Sequence, residues 1–361
     1  MNLMVEYRRH LNVNRTLRIA AVAAVGVGSL AVTATALGKA TGSGATFPNV
    51  AYQKWCGESG VCSYTGKGSS GGIRDLTNKT VDFAGSDAVL TSSQLAAIGG
   101  TVKYFPTLLG AISVPVNIPG VTGNRMKLDG RTLGDIFSGT VTTWNSGAIK
   151  KLNPKLKLPA SPITLCVRSD GSGTSYGFSN YLSKVSSNYR SKVGYGSQTP
   201  NWQGTLVKQP GNPGVANCVK STTNSIGYVD LADSLRAGLQ TNVTAIGKSE
   251  IVKKKVKGKT RTVRKTVYVL PSSKTISAAG NVKTIKPTLD IDFSASSAPG
   301  AYPIVITTWV LAVPGRPANP EVKQVLNYFY SSAAQAQLPG LGFAPLPAKL
   351  RTAALRAAAA L

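Results

Sequence analysis

The sequence predicts an α/β protein with two domains. Short apolar runs alternate with helix-like segments along most of the chain, which is the pattern of α/β folds. Two continuous apolar runs, at residues 108–116 and 304–313, are rich in β-forming residues and read as buried strands. The length of 361 residues and the hydrophobic fraction of 42% allow a sizeable core. We therefore expect parallel sheets with helices on both faces.

Each element is predicted from its local pattern. Pro48 fits the first turn of a helix, and Gly-rich turns separate strands from the helices that follow them. The predicted strands lie at residues 61–65, 81–84, 108–116, 163–167, 226–229 and 304–313. The predicted helices lie at residues 48–55, 73–79, 92–98, 133–137, 145–152, 175–184, 214–219, 320–331 and 347–361.

Residues 1–38 have the pattern of a secretory signal peptide. Four arginines between residues 8 and 18 precede an uncharged run rich in Ala, Val and Gly, and Ala34-Thr35-Ala36 fits a cleavage site. A retained N-terminal membrane anchor is the alternative, because the run is nearly long enough to cross a bilayer. The run is weakly hydrophobic, so we expect cleavage and an exported protein, either periplasmic or extracellular at the cell surface. The cleavage site has no nearby cysteine that could carry a lipid anchor.

The charge is strongly unbalanced, with 41 Lys+Arg against 14 Asp+Glu and a net charge of +27. Residues 248–265 alone carry a net +8 and read as a β-hairpin that turns at Gly258. We interpret residues 248–288 as an insertion, with a Ser/Thr/Gly-rich loop at 271–286. The hairpin at 248–269 either binds a polyanion such as a cell-wall polymer or is a lysine-rich edge that prevents aggregation. Tyr268 is its one aromatic residue, which argues against single-stranded nucleic acid.

The four cysteines favour disulfides in an exported chain. Cys56 and Cys62 are separated by five residues, whereas Cys166 and Cys218 lie far downstream. Of the three possible connectivities we expect Cys56–Cys62, which would close a short turn between a helix and a strand, together with Cys166–Cys218. Four buried free thiols are the alternative. The spacing is too wide for a metal site.

Three similar segments, each placed before a predicted helix, carry the chemistry. They are Gly-Ser-Gly-Ala-Thr-Phe-Pro at 42–48, Gly-Lys-Gly-Ser-Ser-Gly-Gly at 66–72 and Arg-Ser-Asp-Gly-Ser-Gly-Thr-Ser at 168–175. The unpaired amides and the positive end of a helix dipole favour an anion there, and glycine lets the backbone approach it. One such turn is an ordinary helix cap. Three in one chain predict a shared oxyanion site.

The sequence matches known enzyme motifs only in part. His10 is the only histidine and lies in the predicted leader, so the mature chain has none for a Ser-His-Asp or Cys-His nucleophile or for zinc. Gly66 to Gly71 matches G-x-G-x-x-G, but no acid follows at about 20 residues to hold a ribose. Ser172 lacks a histidine to activate it, which leaves only a lysine base. We expect no enzyme activity, no metal and no cofactor.

The ordered motifs resemble those of the phosphate-binding protein of bacterial phosphate ABC transporters. They cover residues 41–358 without the basic insertion, and they are GSGATFPNVAYQKW, YTGKGSSGGIRDLTNKTVDFAGSDAVL, FPTLLGAISVPVNIPGV, LDGRTLGDIFSGTVTTWN, RSDGSGTS, GNPGVANCVKSTTNSIGYVDLA and GFAPLP. The resemblance implies a periplasmic-binding-protein-like (type II) fold with a ligand cleft between two lobes. Lobe 1 would comprise residues 39–112 and 307–361, and lobe 2 residues 113–306. The basic insertion and the Cys56–Cys62 pair depart from the general family pattern.

The resemblance also implies a set of phosphate ligands. In this sequence the corresponding positions are Thr46, Phe47, Ser69, Asp87, Arg168, Ser172, Gly173 and Thr174. Asp170 is expected to pair with Arg168 and orient it. By this resemblance the protein would bind inorganic phosphate, without chemistry, and deliver it to the membrane permease subunits of an ABC transporter. A phosphatase or phosphoryl transferase on the same scaffold and a polyanion-binding surface protein are the alternatives.

Asp87 suits a phosphate site for a chemical reason. Phosphate at neutral pH keeps at least one proton, whereas sulfate keeps none. An ionised carboxylate only accepts hydrogen bonds, so it pairs with a P–OH group but repels a sulfate oxygen. An unpaired buried group of this kind supports discrimination of roughly 10⁴-fold. Without the resemblance, Asp87 would be interpreted as a helix N-cap.

Overall fold

The computed structural model describes residues 38–256, 259–281 and 284–361. The predicted leader, apart from Gly38, and the predicted hairpin turn at Gly258 lie outside these ranges. The described chain forms a mixed α/β fold with two lobes. Of the helices within these ranges, none combines the length and the apolar character needed to cross a membrane.

The described elements follow one another along both lobes. The strands are β1 (Ala40–Gly44), β2 (Cys62–Gly66), β3 (Phe83–Ser86), β4 (Lys103–Ser113), β5 (Val116–Asn117), β6 (Lys127–Asp129), β7 (Thr164–Arg168), β8 (Thr205–Gln209), β9 (Ser225–Gly227), β10 (Val229–Asp230), β11 (Ala245–Val256), β12 (Lys259–Val269), β13 (Val305–Ala312) and β14 (Phe343–Ala344). The helices are α1 (Asn49–Ser59), α2 (Ser69–Thr77), α3 (Ser92–Ile98), α4 (Gly130–Phe137), α5 (Gly147–Leu152), α6 (Gly173–Val185), α7 (Ser187–Lys192), α8 (Gly211–Ser221), α9 (Leu231–Arg236), α10 (Ser273–Ala279), α11 (Asn319–Phe329), α12 (Ser332–Gln337) and α13 (Ala348–Ala359), with a 3₁₀ turn at Leu338–Leu341.

The first lobe is built on a seven-stranded sheet in the order β10-β4-β13-β3-β1-β2, with β14 also paired to β4. Strands β1, β2 and β3 are parallel, but β13 runs antiparallel to both β3 and β4. The expectation of parallel sheets is therefore wrong for the centre of this sheet. The reason is topological, because β13 enters the sheet on the chain's return from the second lobe.

Strand β1 was not predicted, because Gly, Ser and Thr are poor indicators of a strand. Its glycines are required by close neighbours. A Cβ on Gly42 would lie 2.2 Å from the ring of Phe83, and one on Gly44 would lie 2.1 Å from the carbonyl oxygen of Gly85. Gly44 also has a φ of +138°, which side chains rarely allow. Small residues thus let β1 fit between β2 and β3, and they deliver Thr46 to the end of the sheet.

The second lobe has a four-stranded sheet in the order β5-β9-β7-β8. Helix α8 packs against this sheet, and α4, α6 and α7 pack against one another. A cluster of buried aromatic rings lies behind β7, with Phe178 stacked on Tyr228 at a centroid distance of 4.8 Å. Phe137 and Trp202 complete this cluster. The rings hold the end of β7, and therefore Arg168, in one position.

Two elements between residues 113 and 306 join the first sheet. Strand β10 pairs with β4, and α10 packs against β4 and β14. The prediction of a loop over residues 271–286 is wrong for the part that forms α10. Ser272 and Thr275 form a reciprocal capping box, and Ile276 is fully buried, so a Ser/Thr-rich segment makes a short helix.

The basic hairpin consists of β11 and β12, with Val256 paired to Lys259. Its base is joined to the second lobe, since the first residues of β11 pair in parallel with β6. Lys248 donates to the carbonyl oxygen of Ala298 at 2.5 Å, and the carboxylate of Glu250 accepts from the amide of Gly300 at 2.8 Å. Beyond this base, β11 pairs only with β12 in the described part of the chain. The hairpin therefore extends from the lobe as a two-stranded arm.

Two disulfides join Cys56 to Cys62 and Cys166 to Cys218. This is the connectivity favoured by the cysteine spacing. The first joins α1 to the start of β2, six positions apart in sequence. The second joins β7 to α8, 52 positions apart. The longer loop removes more entropy from the unfolded chain, so the second disulfide should stabilise more.

We expect the paired substitution Cys166→Ala/Cys218→Ala to lower the free energy of unfolding by about 4 kcal/mol, and Cys56→Ala/Cys62→Ala by about 2 kcal/mol. Urea unfolding of both variants beside the wild type measures the difference. Equal losses, or a larger loss for the short loop, would contradict the loop-length argument.

Candidate functional site

The three glycine-rich segments meet at the cleft between the lobes. In the first lobe, Thr46 and Phe47 follow β1, Ser69 begins α2 and Asp87 follows β3. In the second lobe, Arg168 ends β7, and Ser172 is the N-cap of α6. All these side chains are buried. The helix N-termini of α2 and α6 thus face the same interlobe space.

Ser69 lies at the contact between the lobes. Its hydroxyl oxygen accepts a hydrogen bond from the amide of Gly173 at 3.1 Å and a longer one from the amide of Asp87 at 3.3 Å. Next to it, the amide of Ser70 donates to the carbonyl oxygen of Gly171 at 3.0 Å. A Cβ on Gly173 would lie 2.4 Å from the Ser69 hydroxyl oxygen. Only glycine therefore permits this close approach of α6 to the first lobe.

Arg168 and Asp170 form an ion pair within one turn. Arg168 Nε donates to Asp170 Oδ1 at 2.7 Å, and Nη2 donates to Oδ2. Burial alone would raise the pKa of Asp170, but the hydrogen bond and charge of Arg168, with the amide of Gly211, hold that pKa below its usual range. The Arg168 side chain is only 1% exposed. Its Nη1 makes no hydrogen bond with the described part of the chain, which leaves that nitrogen for a ligand.

Asp87 is buried beside this cation. It is 3% exposed, and its Oδ1 has no hydrogen-bond partner among the described residues. Burial raises the pKa of Asp87 to about 7, although the Thr308 hydroxyl and the positive charge of Arg168 both lower it. An unpartnered acceptor oxygen in a buried site is costly unless a ligand supplies a proton donor.

Asn212 was not identified from the sequence. It lies near the start of α8, in a Gly-Asn-Pro-Gly stretch that reads as a turn. Its Nδ2 donates to Thr46 Oγ1 at 3.2 Å and to Thr174 Oγ1 at 3.1 Å. The side chain thus connects one residue from each lobe. No spacing rule could have placed Asn212 beside residues 166 positions earlier in the chain.

Two further buried acids, Asp230 and Asp233, were also missed. Asp230 caps α9 by accepting from the amide of Asp233 at 2.9 Å. Burial first, and then the charge of Asp233, raises the pKa of Asp230 well above its usual value. Burial also raises the pKa of Asp233. The two carboxyl groups therefore titrate as a pair that retains a proton.

The arrangement suits binding of an oxyanion. The site contains hydroxyls, helix N-terminal amides, one guanidinium and one acidic acceptor, all removed from water. Within the described residues, no three His, Cys, Asp or Glu side chains are grouped to hold a metal ion. The structure gathers the residues that the sequence selected around one cleft, and their role as phosphate ligands stays a prediction.

Comparison with known proteins identifies the class. The family model of the PBP superfamily domain matches residues 31–333. With the two lobes and the polar cleft between them, this match places the chain in the PBP superfamily.

Individual relatives narrow the assignment. Phosphate-binding protein PstS of Xylella fastidiosa (strain 9a5c) is 34% identical over 321 residues, which cover 86% of this chain and 82% of the relative. Phosphate-binding protein PstS of Methanocaldococcus jannaschii is 32% identical over 329 residues, which cover 84% of this chain and 82% of the relative. The chain therefore belongs to the phosphate-binding protein family. Among solved structures, a high affinity periplasmic phosphate-binding protein (PfluDING) bound with phosphate is similar in fold. Its TM-score is 0.65 at 21% identity, with 87% of this chain and 92% of the other covered.

We expect Asp87→Asn to stabilise the ligand-free protein at high pH. Because burial raises the pKa of Asp87 to about 7, folding favours its protonated form, and the wild type loses stability as pH rises towards 7. Asparagine carries no such charge. From pH 5 to pH 8, the unfolding free energy of the variant relative to the wild type should rise by on the order of 2–3 kcal/mol.

Urea unfolding in phosphate-free buffer at several pH values measures this change. Asp230 and Asp233 titrate in both proteins, so the difference between the two reports Asp87 together with its effect on Asp230, whose pKa the charge of Asp87 also raises. Parallel pH profiles for the two proteins would show that Asp87 is not buried with a raised pKa.

Proposed function

We propose that this protein captures inorganic phosphate between its two lobes and delivers it, chemically unchanged, to the membrane permease subunits of an ABC transporter. The observation that carries the proposal is that hydrogen-bond donors and an unpartnered hydrogen-bond acceptor occur together in one buried site. Many donors surround the cleft, and a buried carboxylate oxygen, Asp87 Oδ1, has no partner of its own within the described chain. A protonated oxyanion complements both.

The donors are suited to phosphate oxygens. Arg168 is held by Asp170 with Nη1 unbonded to the described chain, so it can donate to the ligand without rearranging. Helix α6 begins at Gly173 in the cleft, and its first amides and dipole favour negative charge. The hydroxyls of Thr46, Ser69 and Thr174 each accept a hydrogen bond from an N–H group, which leaves their own protons to donate.

Asp87 supports selectivity for phosphate over sulfate. A bound phosphate would donate its P–OH proton to the unpartnered Oδ1 and stabilise the ionised carboxylate. Sulfate has no proton to donate, so an ionised Asp87 would face an anionic oxygen in a buried site. The penalty for that unpaired charge falls on sulfate alone.

Ligand exchange requires the lobes to separate. Ser69 and Thr174 are fully buried, and contacts such as Gly173 to Ser69 join the two lobes directly. We propose a hinge at the crossover strands β4 and β13, which pass between the lobes. Closure would complete the donor set around phosphate, and opening would release it to the permease.

Export of the mature chain is the second part of the proposal. The signal-like segment at residues 1–38 and the paired cysteines support an oxidising compartment outside the cytoplasm. We propose a periplasmic or extracellular location with cleavage of the leader. The lack of a histidine in the mature chain supports binding rather than phosphatase or phosphoryl transferase activity.

We expect residues 39–361 to bind one phosphate and to discriminate strongly against sulfate in calorimetric titrations. Arg168→Ala should weaken phosphate binding by about 100-fold or more, because a buried ionic hydrogen-bond donor is lost. Asp87→Asn should lower the ratio of phosphate to sulfate affinity by at least about tenfold, because an amide can donate to sulfate.

Arg131→Ala, at an exposed arginine of the second lobe, is the matched control and should bind like the wild type. Equal binding of phosphate and sulfate by the wild type would refute the proposal. Turnover of a phosphate ester by the pure protein would favour the phosphatase alternative instead.

We also propose that the basic hairpin binds an anionic wall polymer. The observation that favours this second function is the distribution of its charge. Lys253, Lys255 and Arg264 are exposed on one face of the arm, because their positions alternate with those facing the other way. Arg261 and Lys265 are exposed from the opposite face.

Charge on both faces suits a flexible polymer with repeated phosphates, which can wrap around the arm. A flat membrane would contact one face only. The exposed apolar surface is small, with Ile251 at 68% exposure and Val252 and Val263 partly covered. Tyr268 lies at the base, with Lys127 over its ring at 5.4 Å, and is not available for base stacking. The arm therefore fits a polyanion better than a bilayer or a nucleic acid.

We expect the mature protein to bind poly(glycerol phosphate) in a salt-dependent manner. Replacing Lys253, Lys255, Arg261 and Arg264 with glutamine should weaken this binding at least about tenfold, because the lost attraction is electrostatic and screened by salt. Phosphate affinity should not change. The control replaces Lys150, Lys151, Lys155 and Lys157, exposed lysines outside the hairpin, with glutamine.

Equal losses in both variants would mean that net charge, not the hairpin, binds the polymer. Stronger binding to phosphatidylglycerol vesicles or to single-stranded DNA than to poly(glycerol phosphate) would refute the choice of partner.

A further inference from the structure

We propose that Asn212 is a positioning residue that fixes the hydroxyls of Thr46 and Thr174 as hydrogen-bond donors to the bound oxyanion. This inference rests on the proposed phosphate binding and extends it. A free hydroxyl either donates or accepts, and rotates to suit its surroundings. A hydroxyl whose oxygen already accepts from the protein has its proton left for the ligand.

The contacts give Asn212 this position. Its Nδ2 lies 3.2 Å from Thr46 Oγ1 and 3.1 Å from Thr174 Oγ1, and its backbone amide also donates to Thr46 Oγ1 at 3.1 Å. Thr46 Oγ1 therefore accepts two hydrogen bonds from Asn212. Asn212 and Thr174 are fully buried, and Thr46 is 8% exposed, so water does not compete for these bonds.

The orientation of the amide follows from the cost of unpaired groups. As placed, the amide leaves one acceptor, Asn212 Oδ1, without a partner in the described chain. With oxygen and nitrogen exchanged, the two threonine hydroxyls would donate to Asn212, and both N–H bonds of its NH₂ group would be buried without acceptors. The exchanged form would also turn both hydroxyl protons away from the cleft. The orientation in which the amide donates to both threonines leaves fewer buried polar groups unpaired, and it is therefore favoured.

A hydrogen bond and a disulfide hold Asn212 in register with Arg168. Asp170, which orients Arg168, also accepts from the amide of Gly211 at 3.0 Å, immediately before Asn212. Further along α8, Cys218 is bonded to Cys166 in β7, the strand that ends at Arg168. The segment that orients the hydroxyls is thus fastened to the strand that presents the guanidinium.

Asn212 also links donor orientation to closure. Thr46 belongs to the first lobe, whereas Thr174 and Asn212 belong to the second. The bond from Nδ2 to Thr46 exists only when the lobes are together. Closing the cleft therefore fixes the Thr46 hydroxyl as a donor at the same moment that it excludes water.

A mutant cycle tests this inference. Asn212→Leu removes the two side-chain donations at similar volume and keeps the backbone amide that donates to Thr46 Oγ1. We expect it to weaken phosphate binding by about 10- to 100-fold. In a Thr46→Ser/Thr174→Ser background, which retains both hydroxyls, Asn212→Leu should weaken phosphate binding by a similar factor. In a Thr46→Val/Thr174→Val background, which lacks the hydroxyls, Asn212→Leu should weaken phosphate binding by less than about threefold. The titrations should extend to millimolar phosphate. If the double Val variant binds phosphate too weakly to measure, the mutant cycle is carried out in the Thr46→Val and Thr174→Val single variants.

Asn217→Leu, at an exposed position of the same helix, is the control and should bind phosphate like the wild type. Melting temperatures without phosphate report folding of each variant. An equal loss in the Ser and Val backgrounds, or no loss in the wild-type background, would overturn the role of Asn212. Failure of the unmodified protein to bind phosphate would instead refute the proposed function.

Discussion

The buried ion pair of Arg168 and Asp170 is the interaction on which the cleft depends. A guanidinium that is 1% exposed loses its hydration and is stable only if its partners stay in place. The aromatic cluster behind β7 fixes the strand, Tyr228 accepts from the backbone amide of Arg168 at 3.1 Å, and Gly211 secures Asp170. The second lobe thus holds the Arg168 guanidinium in a fixed position that is shielded from water.

The sequence contains the local chemistry of the site but not all of its geometry. The glycine-rich turns at residues 66–72 and 168–175 lie between a strand and a helix as predicted, because glycines, hydroxyls and helix starts are local signals. Strand β1 and helix α10 were missed because tertiary burial, as at Ile276, overrides weak propensity. Asn212 could not be found, since its partners come from distant parts of the chain.

The net charge of +27 and the candidate ligand set act at different ranges. The positive excess gives a field that attracts anions, and salt screens it within about 10 Å. At the cleft, we propose that recognition relies on neutral amides and hydroxyls around a single guanidinium. Three of the scarce acids, Asp87, Asp230 and Asp233, are buried near it, and burial raises the pKa of each. Because the pKa values of these carboxyl groups are raised, an anion that enters the cleft meets less negative charge than three ionised carboxylates would present.

The strand order at the crossover determines how the lobes can move. Strands β10, β4 and β13 lie side by side, and Ser113, Val229 and Val305 are at the ends where the chain passes between the first sheet and the second lobe. A ribbon of hydrogen-bonded strands bends readily across its width but resists sliding of one strand along another. We therefore propose that relative motion of the lobes is restricted to a swing about one axis. Such a hinge would return the same atoms to the same register each time the cleft closes, so that the geometry of the site would be reproduced at every binding event.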